Sequence, residues 1–372
     1  MKNVTREAIL NDGRYRHMEI NGIKTEILSD FYTFMLRLRM TQEALKDQYH
    51  VADEIRCPVH FCIGEEAAPT ALSKVIGKED YLFCDHRSHG FYFSKGGDIN
   101  SLFGELYGRT TGCNGGIAGS QEICMPSVNF YSGAILSGML AIAAGAALSF
   151  KYGGEGKVAV AVLGDGAIDE GITWETMNYA SLMKLPVMFI CENNGYSTYS
   201  PQLKRQPSDN ITEKVEAFGV EGISMFGNDV VSLYRAFKKG IEHCRAGKGP
   251  YFIETYTYRW NSHVGPEDDT NVGYRTQDEI NFWKNNCPIG LLEEKLQEQG
   301  LLTAEAKTAF KAEFKKEIES AFSFAKASPF PPAPDWNSLN LCADSPVADQ
   351  YLVDIERDKF NFQQGETTPG PY

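Results

Sequence analysis

Residues 157–171 read KVAVAVLGDGAIDEG, and the next apolar run, 187–191 (VMFIC), ends in Glu192-Asn193-Asn194. The first seven residues are rich in valine and almost wholly apolar, as a parallel strand buried on both faces should be. Gly164 and Gly166 then let the backbone turn tightly and approach a ligand closely. Residues 174–184 suit a helix, Pro186 restarts the chain, and the second apolar run follows. This is one β-α-β unit, because parallel strands need such a crossover. Ligands of open α/β sheets sit beyond the carboxyl ends of the strands, where Asp165 and Asn194 are expected to meet. Either motif alone is an ordinary turn or loop. The pair, framed by two strands, is a pattern that holds a metal bound to a diphosphate.

Magnesium prefers oxygen ligands in octahedral geometry and takes few from the protein, leaving room for phosphates and water. The Asp165 carboxylate, the Asn194 side-chain carbonyl and the backbone carbonyl of Tyr196 meet that need.

Five ordered blocks extend the signal: HFCIGEEA at 60–67, DHRSHG at 85–90, FYSGAILSG at 130–138, the unit above, and TYRWNSHVGPEDD at 257–269. Over residues 31–327 the chain resembles the alpha subunit of the thiamine-diphosphate-dependent 2-oxo acid dehydrogenases, the group that includes pyruvate and acetoin dehydrogenases. The resemblance implies an α/β fold, a mostly parallel doubly wound sheet flanked by helices (the thiamine-diphosphate-binding fold), with a helical C-terminal extension. It implies Mg2+ at Asp165, Asn194 and Tyr196. The diphosphate falls to Gly164, Gly166, Ala167, Arg87 and Arg259, with His86 where the family usually has a tyrosine. Ala134, Ile135 and Leu136 lie along the aminopyrimidine, Ile135 helping to wedge the cofactor into its bent shape. His263, His60 and His89 are implied in proton exchange or substrate binding, His263 near the diphosphate.

Physical chemistry supports these roles. A diphosphate bound to one magnesium keeps net negative charge, and guanidinium groups can chelate its oxygens with two bonds. An imidazole with an unperturbed pKa of about 6.5 suits proton exchange. Zinc is the rival use of His60, His86 and His89, but Gly90 and the turn residues around 86–89 argue against a helix there.

The expected activity is oxidative decarboxylation of a pyruvate-like 2-oxo acid with acyl transfer to a lipoyl acceptor. In the resembled family a glutamate that activates the aminopyrimidine belongs to a separate beta subunit. The chain is therefore expected to work in an α2β2 heterotetramer, with a lipoyl-domain acyltransferase as a further partner. A transketolase-like two-carbon transferase is the alternative, since residues 170–175 (EGITWE) echo transketolase wording. The family loop Gly-Ser-Met-His appears here as Gly119, Ser120, Gln121 and Glu122, so a carboxylate stands where a histidine is usual, which would disfavour an anionic substrate. Val264 replaces the regulatory serine of the animal enzymes and excludes phosphorylation at that position.

Composition frames this reading. The 372 residues are 42% hydrophobic and 23% charged, which is globular. A net charge of −13 argues against a nucleic-acid surface. Nine scattered cysteines without a Cys-x-x-Cys pair point to reduced thiols. The acidic Glu7, Asp12 and Glu19 are unlike a mitochondrial presequence, so a cytoplasmic location is expected. Residues 131–150 lack charge, but their Gly, Ala and Ser content indicates a buried helix at a domain or subunit contact rather than a membrane span.

Three segments are expected: an N-terminal arm (1–30), the α/β domain with its helical extension (31–328), and an extended arm (329–372) opening with four prolines. Asp30 is expected to cap a helix to about His50. Residues 65–76, 99–107, 229–246 and 279–328 are expected to be helical, 250–259 a strand, and the Gly-dense 108–128 a loop at the site mouth.

Overall fold

The computed structural model describes residues 4–13, 17–154, 156–333, 349, 350 and 353. Strands β1 (Tyr81–Cys84), β2 (Cys124–Met125), β3 (Phe130–Ser132), β4 (Ala159–Gly164), β5 (Val187–Asn193), β8 (Glu221–Phe226) and β9 (Tyr251–Tyr256) form a sheet in the order β2-β3-β1-β4-β5-β9-β8. All neighbours are parallel except β2 and β3. A two-stranded hairpin of β6 (Tyr196–Ser197) and β7 (Ser200–Pro201) follows β5.

Alternation along β4 explains the layering. Val160 and Val162 join one core with helices Thr25–Gln48, Ala67–Ser73 and Val230–Arg245. Ala159, Ala161 and Leu163 join the other with helices Gly138–Gly153 and Gly171–Leu182. Successive side chains of a strand point to opposite faces, so a doubly covered sheet needs both sets apolar. The expected doubly wound α/β fold is the observed one. Ala143, Ala144 and Ala147 are buried, bringing helix Gly138–Gly153 close to the sheet.

Several expected boundaries move. The first long helix begins at Thr25, so Asp30 lies within it and pairs with Lys74 at 2.6 Å instead of capping. The expected division between residues 30 and 31 therefore falls inside a helix, and Leu28 is already core. Residues 131–132 belong to β3, a turn follows, and the helix starts at Gly138 with Ile142 and Tyr152 exposed. The C-terminal extension is three helices, Gln277–Asn285, Pro288–Glu298 and Ala304–Ala327, separated where Pro288 and Gly300 interrupt it. Among the described residues no helix is long and apolar enough to cross a membrane.

Residue contacts divide the chain into Met1–Phe330 and Pro331–Tyr372. Most of the expected C-terminal arm lies outside the described residues. Its first two residues end the first unit: the Pro329 carbonyl accepts from the Thr110 N–H at 3.0 Å, and Arg109 stacks on Phe330 at 3.7 Å.

Candidate active site

The carboxyl ends of β1, β4 and β5 open into one cavity of about 260 Å³. Gly164 pairs with Glu192 in register, which sets the tips carrying Asp165 and Asn194 side by side. The lining includes His60, His86, Arg87, Ala134, Leu136, Gly164, Asp165, Gly166, Ala167, Asn194, Tyr196 and His263. Twelve of the residues singled out in the sequence, drawn from five separated blocks, thus face one space. A Cβ on Gly166 would come within 2.8 Å of the Ser197 hydroxyl and 3.0 Å of its Cβ, so glycine lets this turn pack against the hairpin without displacing that side chain.

The turn is pinned from beneath. Ser137 adopts φ +63° and donates to the Ala167 carbonyl at 2.8 Å; Thr173 donates to the same oxygen at 2.6 Å. This fixes the stretch before helix Gly138–Gly153 against the Gly164–Ala167 turn. Ile135 does not join its neighbours in the lining: its side chain is 75% exposed at the rim.

Charge is concentrated here. Arg205 lies 2.5 Å from the buried Asp165 and also grips Asp169. Burial pushes the Asp165 carboxyl up, while Arg205 holds it down. Glu65, Asp85 and Glu192, which the sequence reading did not select, also line the cavity. Arg87 pairs with Glu65 at 3.3 Å and donates to the carbonyls of Phe61 and, at 3.2 Å, His263. Burial pushes Asp85 up to about 7, opposed by N–H groups of Ser137 and Gly164, and pushes Glu192 well above the usual carboxylate range. Each acid lay inside a quoted block, Asp85 and Glu192 directly at the end of an apolar run, and that position was the available signal.

Three imidazoles converge, but not the three first considered for zinc. His60, His86 and His263 have ligand nitrogens within 4.8 Å of one another. Burial first, then Arg87, lowers His86 to about 4 and His263 to about 3, and lowers His60 further. All three are neutral at physiological pH. His89 does not reach the cavity. It starts helix His89–Ser94, fully buried, bonded to Gln42 at 3.1 Å and Ser120 at 2.8 Å, so it ties the core to the loop.

Arg259 also stands behind the wall. Its two terminal guanidinium nitrogens are held by the carbonyls of Thr198 and Asn261 at 2.7 and 2.8 Å, the Tyr274 hydroxyl at 2.9 Å and Asp269 at 3.3 Å, while its Nε is buried without a partner. It holds Thr198, which does line the cavity. Gln121 lines the cavity and approaches His60 at 3.4 Å, whereas Glu122 is exposed and outside the lining. Gln121 and Glu122 lie in a turn that leaves the first side chain in the cavity lining and the second in solvent, so a carboxylate at 122 does not face a ligand.

The Gly-dense stretch before Gln121 is ordered by one side chain. The Glu105 carboxylate accepts from the N–H groups of Asn114, Gly116, Ala118 and Gly119 at 2.7, 2.9, 2.8 and 3.0 Å.

The family model described as dehydrogenase E1 component matches residues 32–334. A testis-specific mitochondrial form of the pyruvate dehydrogenase E1 component subunit alpha from Rattus norvegicus is 35% identical over 84% of this chain and 78% of its own length. The somatic mitochondrial forms from Bos taurus and Homo sapiens are 35% and 34% identical, each over 85% of this chain and 80% of the relative. These relatives are mitochondrial by name, which overturns the cytoplasmic expectation. Reduced thiols report a reducing compartment and not an address, and acidic residues near Met1 carry no positive signal for any location.

Proposed function

Because the chain belongs to the dehydrogenase E1 component family, we propose that it is the alpha subunit of a thiamine-diphosphate-dependent 2-oxo acid dehydrogenase acting on a pyruvate-like acid by oxidative decarboxylation. One observation carries the site assignment: Asp165 and Asn194, at neighbouring strand tips, open into one cavity with Tyr196 and Arg87.

The residues present suit a magnesium diphosphate. Asp165 is buried and already met by a cation. Glu192 Oε1 is buried without a hydrogen-bond partner, and such an atom is costly unless a bound group or water meets it. Asp165, Asn194 and the Tyr196 carbonyl would hold Mg2+, a hard ion suited to oxygen donors. Arg87 offers a permanent positive charge to the diphosphate. When bound, thiamine diphosphate supplies the electron sink for loss of carbon dioxide.

The chain's own residues then orient and exclude. The Ala134–Leu136 stretch is braced by Ser137, and Arg87 ties the carbonyl of His263 to the cavity wall. His60, His86 and His263 enter as neutral imidazoles, each able to accept one hydrogen bond and donate another without adding charge. Gln121, rather than Glu122, presents a polar group to the substrate. Assembly with a beta subunit in an α2β2 tetramer and delivery to a lipoyl-bearing acyltransferase complete the reading.

The transferase alternative is not favoured by the dehydrogenase relatives. Its wording lies apart from the cavity: Glu170 and Glu175 are exposed, and Trp174 stacks on Phe218.

The test is to assay the chain with its beta subunit on pyruvate, a branched 2-oxo acid and a sugar aldehyde, with and without an artificial electron acceptor. Acceptor-dependent release of carbon dioxide from a 2-oxo acid, lost in Asp165→Ala together with magnesium-dependent cofactor binding, is the expected result. Carbon transfer to the aldehyde without oxidation would replace it with the transferase.

A further inference from the structure

The N-terminal segment, expected only as an arm, reaches the back of the metal turn. Helix Arg6–Asn11 is capped by Thr5, Val4 exchanges two hydrogen bonds with Ser224 at 2.6 and 2.7 Å, and Ile9 is fully buried beside Phe226, Tyr256 and Trp283. This docking delivers Arg6. Its guanidinium donates to the backbone carbonyls of Asn193 at 3.3 Å and Asn194 at 3.2 Å. It also pairs with Glu279 at 3.4 Å and stacks over Trp283 at 5.4 Å. Glu279 in turn accepts from the Tyr196 hydroxyl at 2.6 Å. Gly195, at φ +84°, lies between: a Cβ there would come within 2.9 Å of the guanidinium carbon.

We infer that Arg6 is a positioning residue for the metal-diphosphate site, clamping the turn at residues 193–196 from behind so that docking of the N-terminal segment and loading of the site reinforce each other. The inference rests on the reading of Asp165, Asn194 and Tyr196 as the metal-binding set. A planar guanidinium suits the task, since one rigid fork spans two adjacent carbonyls and still reaches an acid. Coupling of two binding equilibria is reciprocal, so occupancy must protect the segment as much as the segment strengthens occupancy.

The experiment uses the full chain assembled with its beta subunit, with magnesium and thiamine diphosphate as probes. Calorimetry is expected to give at least tenfold weaker binding in Arg6→Ala and a partial return in Arg6→Lys. Trypsin cuts after Arg6, and the appearance of that cut by mass spectrometry is expected to slow at least fivefold when the wild type is loaded. Arg6→Ala binding within twofold of wild type, or a cleavage rate unchanged by loading, overturns the inference. The cleavage assay needs no variant, so it decides even if Arg6→Ala fails to fold. Asp165→Ala is run beside these: if it binds the probes as wild type does, the metal-site reading itself fails, whereas loss of binding there with none in Arg6→Ala removes only the clamp.

Discussion

The guanidinium of Arg205 lies 2.5 Å from the carboxylate of Asp165, so a side-chain cation occupies the partnership that the proposed metal requires. Arg205 can retain Asp169 when it releases Asp165, because it already holds both. Arg205→Ala is expected to tighten magnesium binding several-fold in the presence of thiamine diphosphate. It is also expected to cost the metal-free protein about 3 kcal/mol, since Asp165 is left buried and unpaired. Titration calorimetry and thermal unfolding with and without magnesium check both. Weaker magnesium binding in the variant would mean that Arg205 serves the diphosphate rather than competing with the ion.

The histidines and the buried acids tilt stability with pH in opposite senses. His86 is lowered from 6.5 to about 4, so between those values the unfolded chain binds a proton that the folded chain refuses. Its contribution is present above pH 6.5 and drains as pH falls toward 4. Asp85 is raised from 3.8 to about 7, so the folded state binds the extra proton in that window and gains stability as pH falls through it. Urea unfolding at pH 7, 6 and 5 is expected to show the acid loss reduced in His86→Gln and steepened in Asp85→Asn, each by roughly 1 kcal/mol per pH unit. Slopes equal to wild type in both variants would show that neither group is buried as described.

Glu105, on helix Ile99–Leu106, is expected to be the single side chain on which the loop at 108–128 depends most. Replacing one carboxylate oxygen with an amide turns an acceptor of two N–H groups into a donor facing them. Glu105→Gln should lose about 3 kcal/mol, as buried donors are left unmet. Chemical unfolding measures it, and a loss below about 1 kcal/mol would show that the glycines alone hold the loop.

Gln121 and Glu122 separate the two sides of that loop. Glu122→Gln is expected to leave the KM for the 2-oxo acid within about twofold of wild type, because its side chain faces solvent. Gln121→Met removes a polar group from the cavity and should change KM about fivefold or more, equivalent to roughly 1 kcal/mol. Steady-state kinetics on the assembled enzyme decides, and a reversed order would place Glu122 at the substrate.

What could be read in advance followed from local chemistry. Runs such as 158–163 and 187–191 are apolar at every position, and such segments have few stable places other than a doubly covered parallel sheet. The turn glycines and the polar tips at Asp165 and Asn194 locate the cavity because strand direction alone decides which end they occupy. Three assignments moved for reasons that no spacing carries. His89 belongs to the core because Gln42 and Ser120, 47 and 31 positions away, meet its two nitrogens. Arg259 is withdrawn from the cavity by four partners along its own loop and hairpin. Glu122 turns outward while Gln121 turns in, a one-residue phase that the surrounding loop sets.

By itself the sequence determined the class of fold, the edge of the sheet that bears the site, and the pair of oxygen donors on neighbouring strands, since periodicity and turn chemistry act over a few residues. Only the tertiary structure decided which charges face one another. The partnership of Arg205 with Asp165, the three neutral imidazoles and the reach of Arg6 to the Asn194 carbonyl join residues 26 to 203 positions apart. A buried charge is stable only beside its complement, and that complement is fixed when the whole chain packs.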